Sequence, residues 1–199
     1  NNLQGYYTFE DSLKNLVTNS KTALLKRDGN SKSEAIVFEK NASGQCLVLN
    51  GDSYLDSKEV GVFRKSDPFS IGVWVNIPKE LKEGVIFHKS NAERLYNFKG
   101  YNVYLKNNKL EITMAHTAPS NAITKIATTD VPRNKWIQLT LTYDGSATAN
   151  GFNLYIDGNP LTMETVIDQL YKDILFFSKD EPALQFGGWN RGLGFKGGK

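Results

Sequence analysis

The stretch FSIGVWVNI, Phe69–Ile77, alternates apolar residues with small or polar ones along its whole length. Because successive side chains of a β-strand point to opposite faces, this period of two predicts a strand with one face in a core. The other face carries one Trp among small and polar residues and is suited to line a groove. The core-facing set is Phe69, Ile71, Val73, Val75 and Ile77, and the opposite set is Ser70, Gly72, Trp74 and Asn76.

Strand-sized runs recur along the chain and are bounded by Gly, Asn, Asp or Pro. Short strands separated by such turns predict a β-sandwich or barrel rather than βαβ units. One segment, METVIDQLYKDILFF (Met163–Phe177), has apolar residues at helical spacing, so a short surface helix and an extended loop both remain open. The other runs are LQGYYTF, QCLVLNG, GVIFHK, YNVYLKN, KLEITMAH, ITKIATT, WIQLTLTYDG, FNLYIDG and ALQFGG.

Composition excludes several classes of protein. The 199 residues fit one sandwich domain, and the 24 basic and 21 acidic residues are spread along the chain, for a net charge of +3. Such a pattern lacks the basic patch that nucleic-acid binding requires. No run of 18 apolar residues occurs, so we expect no transmembrane helix. The single cysteine, Cys46, lies in an apolar run and is expected to be a buried thiol.

A family resemblance becomes visible in NKWIQLTLTYDGSATANGFNLYIDGNPL, Asn134–Leu161. This stretch, with YYTFEDSLKNLV, LVLNGDSYLD and LQFGGWNRGLGFKGG, resembles the laminin-G-like, concanavalin A-like lectin/glucanase jelly rolls. The resemblance implies one antiparallel β-sandwich over residues 1–199. The family's closing strand has no counterpart after FKGG, which implies a domain taken from a longer protein and lacking that strand.

A narrower likeness rests on GVIFHKSNA, GYNVYL and SNAITKIATTDVP. These segments resemble the laminin-G-like insert of large bacterial proteins that also carry a c-type haem domain and domains of unassigned function. The likeness implies an accessory module of a cell-envelope or secreted protein. The sequence has no CxxCH, so the chain itself attaches no haem in that way.

Catalytic motifs are missing from the sequence. Glycoside hydrolases need two acids beside the scissile bond, and neither ExDxE nor ExDxxE occurs. HExxH and GxSxG are also absent. The stretch GLGFKG matches GxGxxG, but only two residues follow Gly197, so no helix can present its N-terminus to a phosphate. We therefore expect a non-catalytic protein.

A carbohydrate is the ligand class that the resemblance favours. Sugar sites on β-sandwiches combine an aromatic ring for stacking with amide or charged groups for the hydroxyls. The alternatives are a structural or protein-interaction module that contacts neighbouring domains and, less favoured, a glycoside hydrolase. The candidate residues are Trp189, Asn190 and Arg191 in one loop, Arg94, Tyr96, Asn97 and Tyr101 in another, and Trp74 with His88 on a shared groove face.

Calcium is the cofactor that the resemblance implies. Members of the family often bind it near the first loop, where this chain has Glu10 and Asp11 after Phe9. Carboxylate oxygens suit a hard cation such as Ca²⁺. The alternative is an acidic loop that is simply hydrated.

Overall fold

The computed structural model describes residues 2–20, 23–26, 37–41, 43–57, 60–90, 98–179, 181–188 and 195–199. Within them the chain is almost entirely β-structure, with one turn of 3-10 helix at Ala149–Gly151. The strands are β1 (Ala23–Lys26), β2 (Val37–Asn41), β3 (Gly44–Val48), β4 (Ser53–Asp56), β5 (Phe69–Asn76), β6 (Glu83–Ser90), β7 (Gly100–Lys106), β8 (Lys109–Thr117), β9 (Asn121–Ala127), β10 (Trp136–Tyr143), β11 (Phe152–Ile156), β12 (Asn159–Pro160), β13 (Met163–Asp168) and β14 (Gln185–Phe186).

The strands form two large antiparallel sheets and one hairpin. The larger sheet has the order β1-β4-β14-β6-β7-β8-β9-β13, and the smaller has the order β12-β11-β10-β5. Strands β2 and β3 pair only with each other among the described residues. The two large sheets enclose one apolar core, so the predicted antiparallel β-sandwich is confirmed.

Alternation along the strands places the core as the sequence indicates. Val75 and Ile77 are 3% and 0% exposed, whereas Trp74, next to Val75, is 61% exposed. On β8, Leu110, Ile112 and Met114 are fully buried in the same core. Residues from both sheets meet in this core, among them Leu55, Phe87, Val103, Leu105, Ile123, Leu139, Leu141, Phe152 and Leu154.

The short helix considered for Met163–Phe177 is wrong. Its first part is β13, which pairs antiparallel with β9 through a bulge between Thr165 and Ile167. Three β-branched residues in a row, Thr165, Val166 and Ile167, favour this extended form, and β9 offers them a sheet edge. Residues 169–179 then cross to the middle of the larger sheet without forming a helix.

The strand predicted at LQGYYTF is also wrong. Residues 3–8 are not assigned to a strand; the backbone NH of Leu16 donates to the carbonyl of Tyr6. The rings of Tyr7 and Phe9 instead pack against Phe186 of β14, with centroids 6.4 Å away in each case. Phe9 has φ = 56°, which turns the backbone out of an extended path.

Candidate functional site

Six polar side chains lie in register across the outward face of the larger sheet, and we call them the polar row. Their strand neighbours, such as Phe87, Val103 and Ile123, face the core, so the six side chains must point away from it. Four of them are nevertheless between 2% and 9% exposed. In order across the sheet, the polar row is Asp56, Gln185, His88, Asn102, Thr113 and Thr124.

Hydrogen bonds join several members of the polar row. At one end, Gln185 Nε2 donates to Asp56 Oδ2 over 3.1 Å. At the other end, the hydroxyl oxygens of Thr113 and Thr124 are 3.1 Å apart. Between these pairs, the Asn102 amide is 5% exposed, and it makes no hydrogen bond within the part of the chain that the structure describes. The donors and the acceptor of this amide are therefore available to a ligand or to water.

His88, in the middle of the row, is held neutral. Burial lowers the pKa of its imidazole from 6.5 to about 4, although hydrogen bonding with the Gly188 and Ser90 backbone and the charge of Asp56 act in the opposite direction. Its Nδ1 lies 3.0 Å from the hydroxyl of Ser90. At neutral pH the polar row therefore contains one carboxylate, and its remaining members are uncharged amides, hydroxyls and an imidazole.

The residues on one side of the polar row are small. Ser90, Gly100, Ala115 and Ala122 lie in register there, each buried on the same outward face. Gly100 is required by the backbone, because it has φ = 123° and an added Cβ would lie 1.8 Å from the Lys89 carbonyl oxygen.

Carboxyl and phenol groups lie on the other side of the row. Tyr104 of β7 pairs with Val85 of β6 and with Glu111 of β8, and Glu83 of β6 lies diagonally across from it, opposite Lys106. Burial raises the pKa of the Glu111 carboxyl, with Lys106 acting in the opposite direction. Burial also raises the pKa of Tyr104, and the charges of Glu83 and Glu111 add to that effect.

Most of the predicted loop residues lie outside the described part of the chain. These are Trp189, Asn190 and Arg191, together with Arg94, Tyr96 and Asn97, and their roles stay predictions. Two described residues next to the loops, Ser90 and Gly188, both contact His88. The polar row therefore begins where both predicted loops leave the sheet.

Tyr101 belongs to the core, which corrects the prediction that it contacts a ligand. Its side chain is fully buried, and its ring lies 4.9 Å from that of Phe69. Its hydroxyl donates to the carbonyl of Gly61 over 2.6 Å. Because Tyr101 lies one residue from Asn102 on β7, strand alternation sends it to the opposite face.

The shared groove predicted for Trp74 and His88 is also wrong. Trp74 projects from the outward face of the smaller sheet, whereas His88 belongs to the larger sheet and is 2% exposed. The outward faces of two packed sheets lie on opposite sides of a sandwich, so the two side chains cannot line one groove. They belong to two separate surfaces.

The predicted calcium ligands are engaged with a neighbouring residue. Both carboxylate oxygens of Glu10 accept from the backbone NH of Gln45, at 3.1 and 3.0 Å, and Asp11 Oδ2 accepts from Gln45 Nε2 at 2.6 Å. Among the described residues there is no cluster of three or more His, Cys, Asp or Glu suited to a metal ion. Calcium at Glu10 and Asp11 stays a prediction.

Sequence reasoning missed five of the six residues of the polar row as binding candidates. The signal was present in YNVYLKN and KLEITMAH, where Asn102 and Thr113 alternate with core residues. The strand order, which brings β14 between β4 and β6, could not be read from such local patterns. Only that order aligns Asp56 and Gln185 with the rest.

No helix in the described part of the chain is long and apolar enough to cross a membrane. Among curated proteins, no sequence matches this chain.

Solved structures share the fold at low sequence identity. Domain 4 of AbnA, a GH43 extracellular arabinanase from Geobacillus stearothermophilus solved with arabinotriose, is 18% identical with a TM-score of 0.66. That similarity covers 97% of this chain and 86% of the other. The binding domain of botulinum neurotoxin DC, solved with rat synaptotagmin II, is 14% identical with a TM-score of 0.57 over 92% of this chain and 42% of the other.

A second neurotoxin domain is similar to the same degree. The botulinum neurotoxin serotype G binding domain is 17% identical with a TM-score of 0.51, over 84% of this chain and 42% of the other. The sequence of residues 49–192 matches the laminin G family profile described as "Concanavalin A-like lectin/glucanases superfamily". That match spans well over half of the 199 residues, and the antiparallel sandwich agrees with it. The chain belongs to the concanavalin A-like lectin/glucanases superfamily.

Proposed function

We propose that this protein is a non-catalytic carbohydrate-binding module and that a neutral sugar binds along the polar row. The observation that carries the proposal is the Asn102 amide, which is 5% exposed and makes no hydrogen bond within the described residues. An amide offers both donors and an acceptor, as a sugar hydroxyl does. A hydroxyl at this position would satisfy a group that the fold leaves without a partner.

The chemistry of the row favours a neutral sugar over a charged one. His88 is neutral at pH 7 because burial lowers its pKa to about 4, and the row contains no Lys or Arg to balance an anionic ligand. Asp56, its one carboxylate, already accepts from Gln185. Two hydroxyls and two amides remain as groups that can exchange hydrogen bonds with a polyol.

The superfamily also contains glucanases, so the non-catalytic role needs its own argument. Glu83 of β6 and Glu111 of β8 lie two inter-strand spacings apart, which places their strands about 10 Å from each other, and they are offset by two residues along the strands. The offset places their backbone positions farther apart than the roughly 5–9.5 Å that separates the carboxyl groups of a catalytic acid pair. Hydrolysis of neutral glycans that disappears in Glu111→Gln would contradict the non-catalytic proposal.

The test of sugar binding compares Asn102→Leu with the parent protein on a glycan array and by titration calorimetry. Leu has nearly the shape of Asn but no hydrogen-bonding groups, so we expect at least roughly tenfold weaker binding of the sugar that the parent protein selects. Asn159→Leu, at an exposed position of β12 in the smaller sheet, is the matched control. If Asn102→Leu bound the sugar as tightly as the parent protein does, the row would not be the binding site. If no glycan binds, the role in contacts with neighbouring domains becomes the better proposal.

Two further expectations belong to the same proposal. A module of this kind acts in the cell envelope or outside the cell, where polysaccharides are found.

Calcium bound by Glu10 and Asp11 would raise the melting temperature, because a ligand that binds only the folded state stabilises it. A melt in millimolar calcium that matches a melt in chelator would remove calcium from the proposal.

A further inference from the structure

The outward face of the smaller sheet contains no charged side chain across three neighbouring strands. Charged residues make up 23% of the chain, so about two of ten surface positions would be expected to carry a charge. We call this surface the platform. It consists of Ser70, Gly72, Trp74 and Asn76 of β5, Trp136, Gln138, Thr140 and Thr142 of β10, and Asn153 and Tyr155 of β11.

Trp74 is the most exposed aromatic residue of the platform. Its side chain is 61% exposed, and its strand partner on β10 is Gln138. Trp136 lies diagonally across from it, opposite Asn76. An indole that projects from a flat sheet presents a face on which a sugar ring can stack.

Gly72 lies beside Trp74, and the fold does not require glycine there. Its φ is outside the left-handed region, and an added Cβ would meet a single side-chain atom, Thr140 Oγ1, at 3.8 Å. Glycine inside a strand costs about 0.5–1 kcal/mol relative to Ala. Its effect at this position is to leave a flat area about 7 Å from Trp74 along the strand.

The polar groups around this flat area are available for a ligand. Within the described part of the chain, the side chains of Asn76, Gln138, Thr140 and Tyr155 make no hydrogen bond. Asn153, at the far edge, differs because its amide oxygen accepts from Lys125 Nζ over 2.8 Å. The platform therefore presents uncharged donors and acceptors next to an exposed indole.

We infer that the platform is a second binding site, separate from the polar row, and that it takes an extended chain of a neutral polysaccharide. One sugar ring stacks on Trp74, the next lies over Gly72, and their hydroxyls exchange hydrogen bonds with Gln138 and Thr140. An apolar protein partner would leave these amides and hydroxyls unsatisfied. A charged partner would find no countercharge on the platform. This inference does not depend on sugar binding at the row.

The test is affinity electrophoresis in gels containing linear arabinan, xylan or mixed-linkage β-glucan, together with depletion from solution by insoluble cellulose. We expect the protein to be retained by at least one of these polymers. Trp74→Ala and Gly72→Val should each weaken that retention at least roughly tenfold, the first by removing the stacking face and the second by filling the flat area.

The controls separate the platform from the row and from general surface effects. Tyr171→Ala removes an aromatic side chain that is 63% exposed elsewhere, and it should bind like the parent protein. Asn102→Leu should keep the retention that depends on Trp74. Retention by none of the polymers, or unchanged retention in both Trp74→Ala and Gly72→Val, would overturn the inference. If retention by the polysaccharides were lost in Asn102→Leu alone, the row would be the binding site and the platform would not.

Discussion

The polar row and the platform are the outward faces of the two sheets of one sandwich, and they treat polar side chains in opposite ways. His88, Asn102 and Thr113 of the row are between 2% and 7% exposed, whereas Trp74 of the platform is 61% exposed. The row crosses the central strands of an eight-stranded sheet, while the platform includes the edge strand β5. The same alternation of residues therefore produces a buried polar surface on one sheet and an open one on the other.

The two surfaces therefore contribute differently to the stability of the fold. A buried polar group must exchange its bonds with water for bonds within the protein, so a change in the row alters the free energy of folding. An exposed group keeps its bonds with water, so a change on the platform should alter binding while changing the free energy of folding by about 1 kcal/mol or less. Substitutions can test this contrast, beginning with the largest expected effect.

The ion pair beneath the row should dominate its stability. Lys89, between His88 and Ser90 on β6, points inward with a side chain that is 0% exposed, and its ammonium donates to the Glu181 carboxylate. Glu181→Gln leaves that buried ammonium without its ion-pair partner and with only the more weakly acting charge of Asp173, which costs about 3–5 kcal/mol. Urea denaturation should therefore show a loss of about that size.

The pair formed by Lys199 and Glu39 supplies the control for this prediction. The side chains of these two residues are 34% and 46% exposed. Exposed pairs contribute about 1 kcal/mol or less, so Glu39→Gln should change stability little. If Glu39→Gln lost as much stability as Glu181→Gln, burial of the ion pair would not be the cause of the larger loss.

Acid should destabilise the folded protein, because it protonates His88 more readily in the unfolded chain. Burial lowers the pKa of its imidazole from the ordinary value of 6.5 to about 4, so between these values the unfolded chain binds a proton that the folded chain does not. Stability is then complete above pH 6.5 and falls as the pH drops toward 4, by roughly 3 kcal/mol. His88→Gln should lose that part of the pH dependence. Parallel curves of unfolding free energy against pH for the two proteins would refute the assignment.

A smaller effect is expected at the far end of the row. Thr113 and Thr124 bond to each other and are 7% and 9% exposed. Thr113→Val leaves the hydroxyl of Thr124 buried without its partner, which should cost about 1–2 kcal/mol. Adding Thr124→Val should recover most of that loss, because both polar groups are then absent. A double-mutant cycle in urea measures the coupling, and simple additivity of the two losses would contradict it.

The sequence predicted more of the sandwich than of its surfaces. Alternation on Phe69–Ile77 and Leu110–Met114 was enough to place the core and to send Trp74 outward. It failed at Met163–Asp168, where apolar spacing suggested a helix but the free edge of β9 stabilised a strand. Periodicity describes one segment, whereas the edge that a segment finds depends on the whole sheet.

The binding surfaces were harder to predict for the same reason. Whether His88 and Trp74 share a face depends on which sheet each strand joins, and the local sequence pattern carries no such information. Asn102 could not be singled out from the sequence, because the lack of a hydrogen-bond partner for its amide depends on which residues face it from β6 and β8. Residue type identified groups that can contact a sugar, and strand order decided which of them lie together.

The smallest changes in stability are expected for substitutions on the platform. These changes decide whether weaker binding in a variant reports on a binding site or on a damaged fold. Gly72→Val adds a β-branched side chain to an exposed strand position that has room for it, so it should stabilise the fold by up to about 1 kcal/mol. Trp74→Ala should change stability by no more than about 0.5 kcal/mol, since the indole is largely in water. Both values come from urea denaturation at neutral pH. A loss above about 2 kcal/mol in either variant would mean that the platform supports the fold, and weaker polysaccharide binding would then no longer report on a site. Weaker polysaccharide binding without a loss of stability is the result that separates the platform from the row.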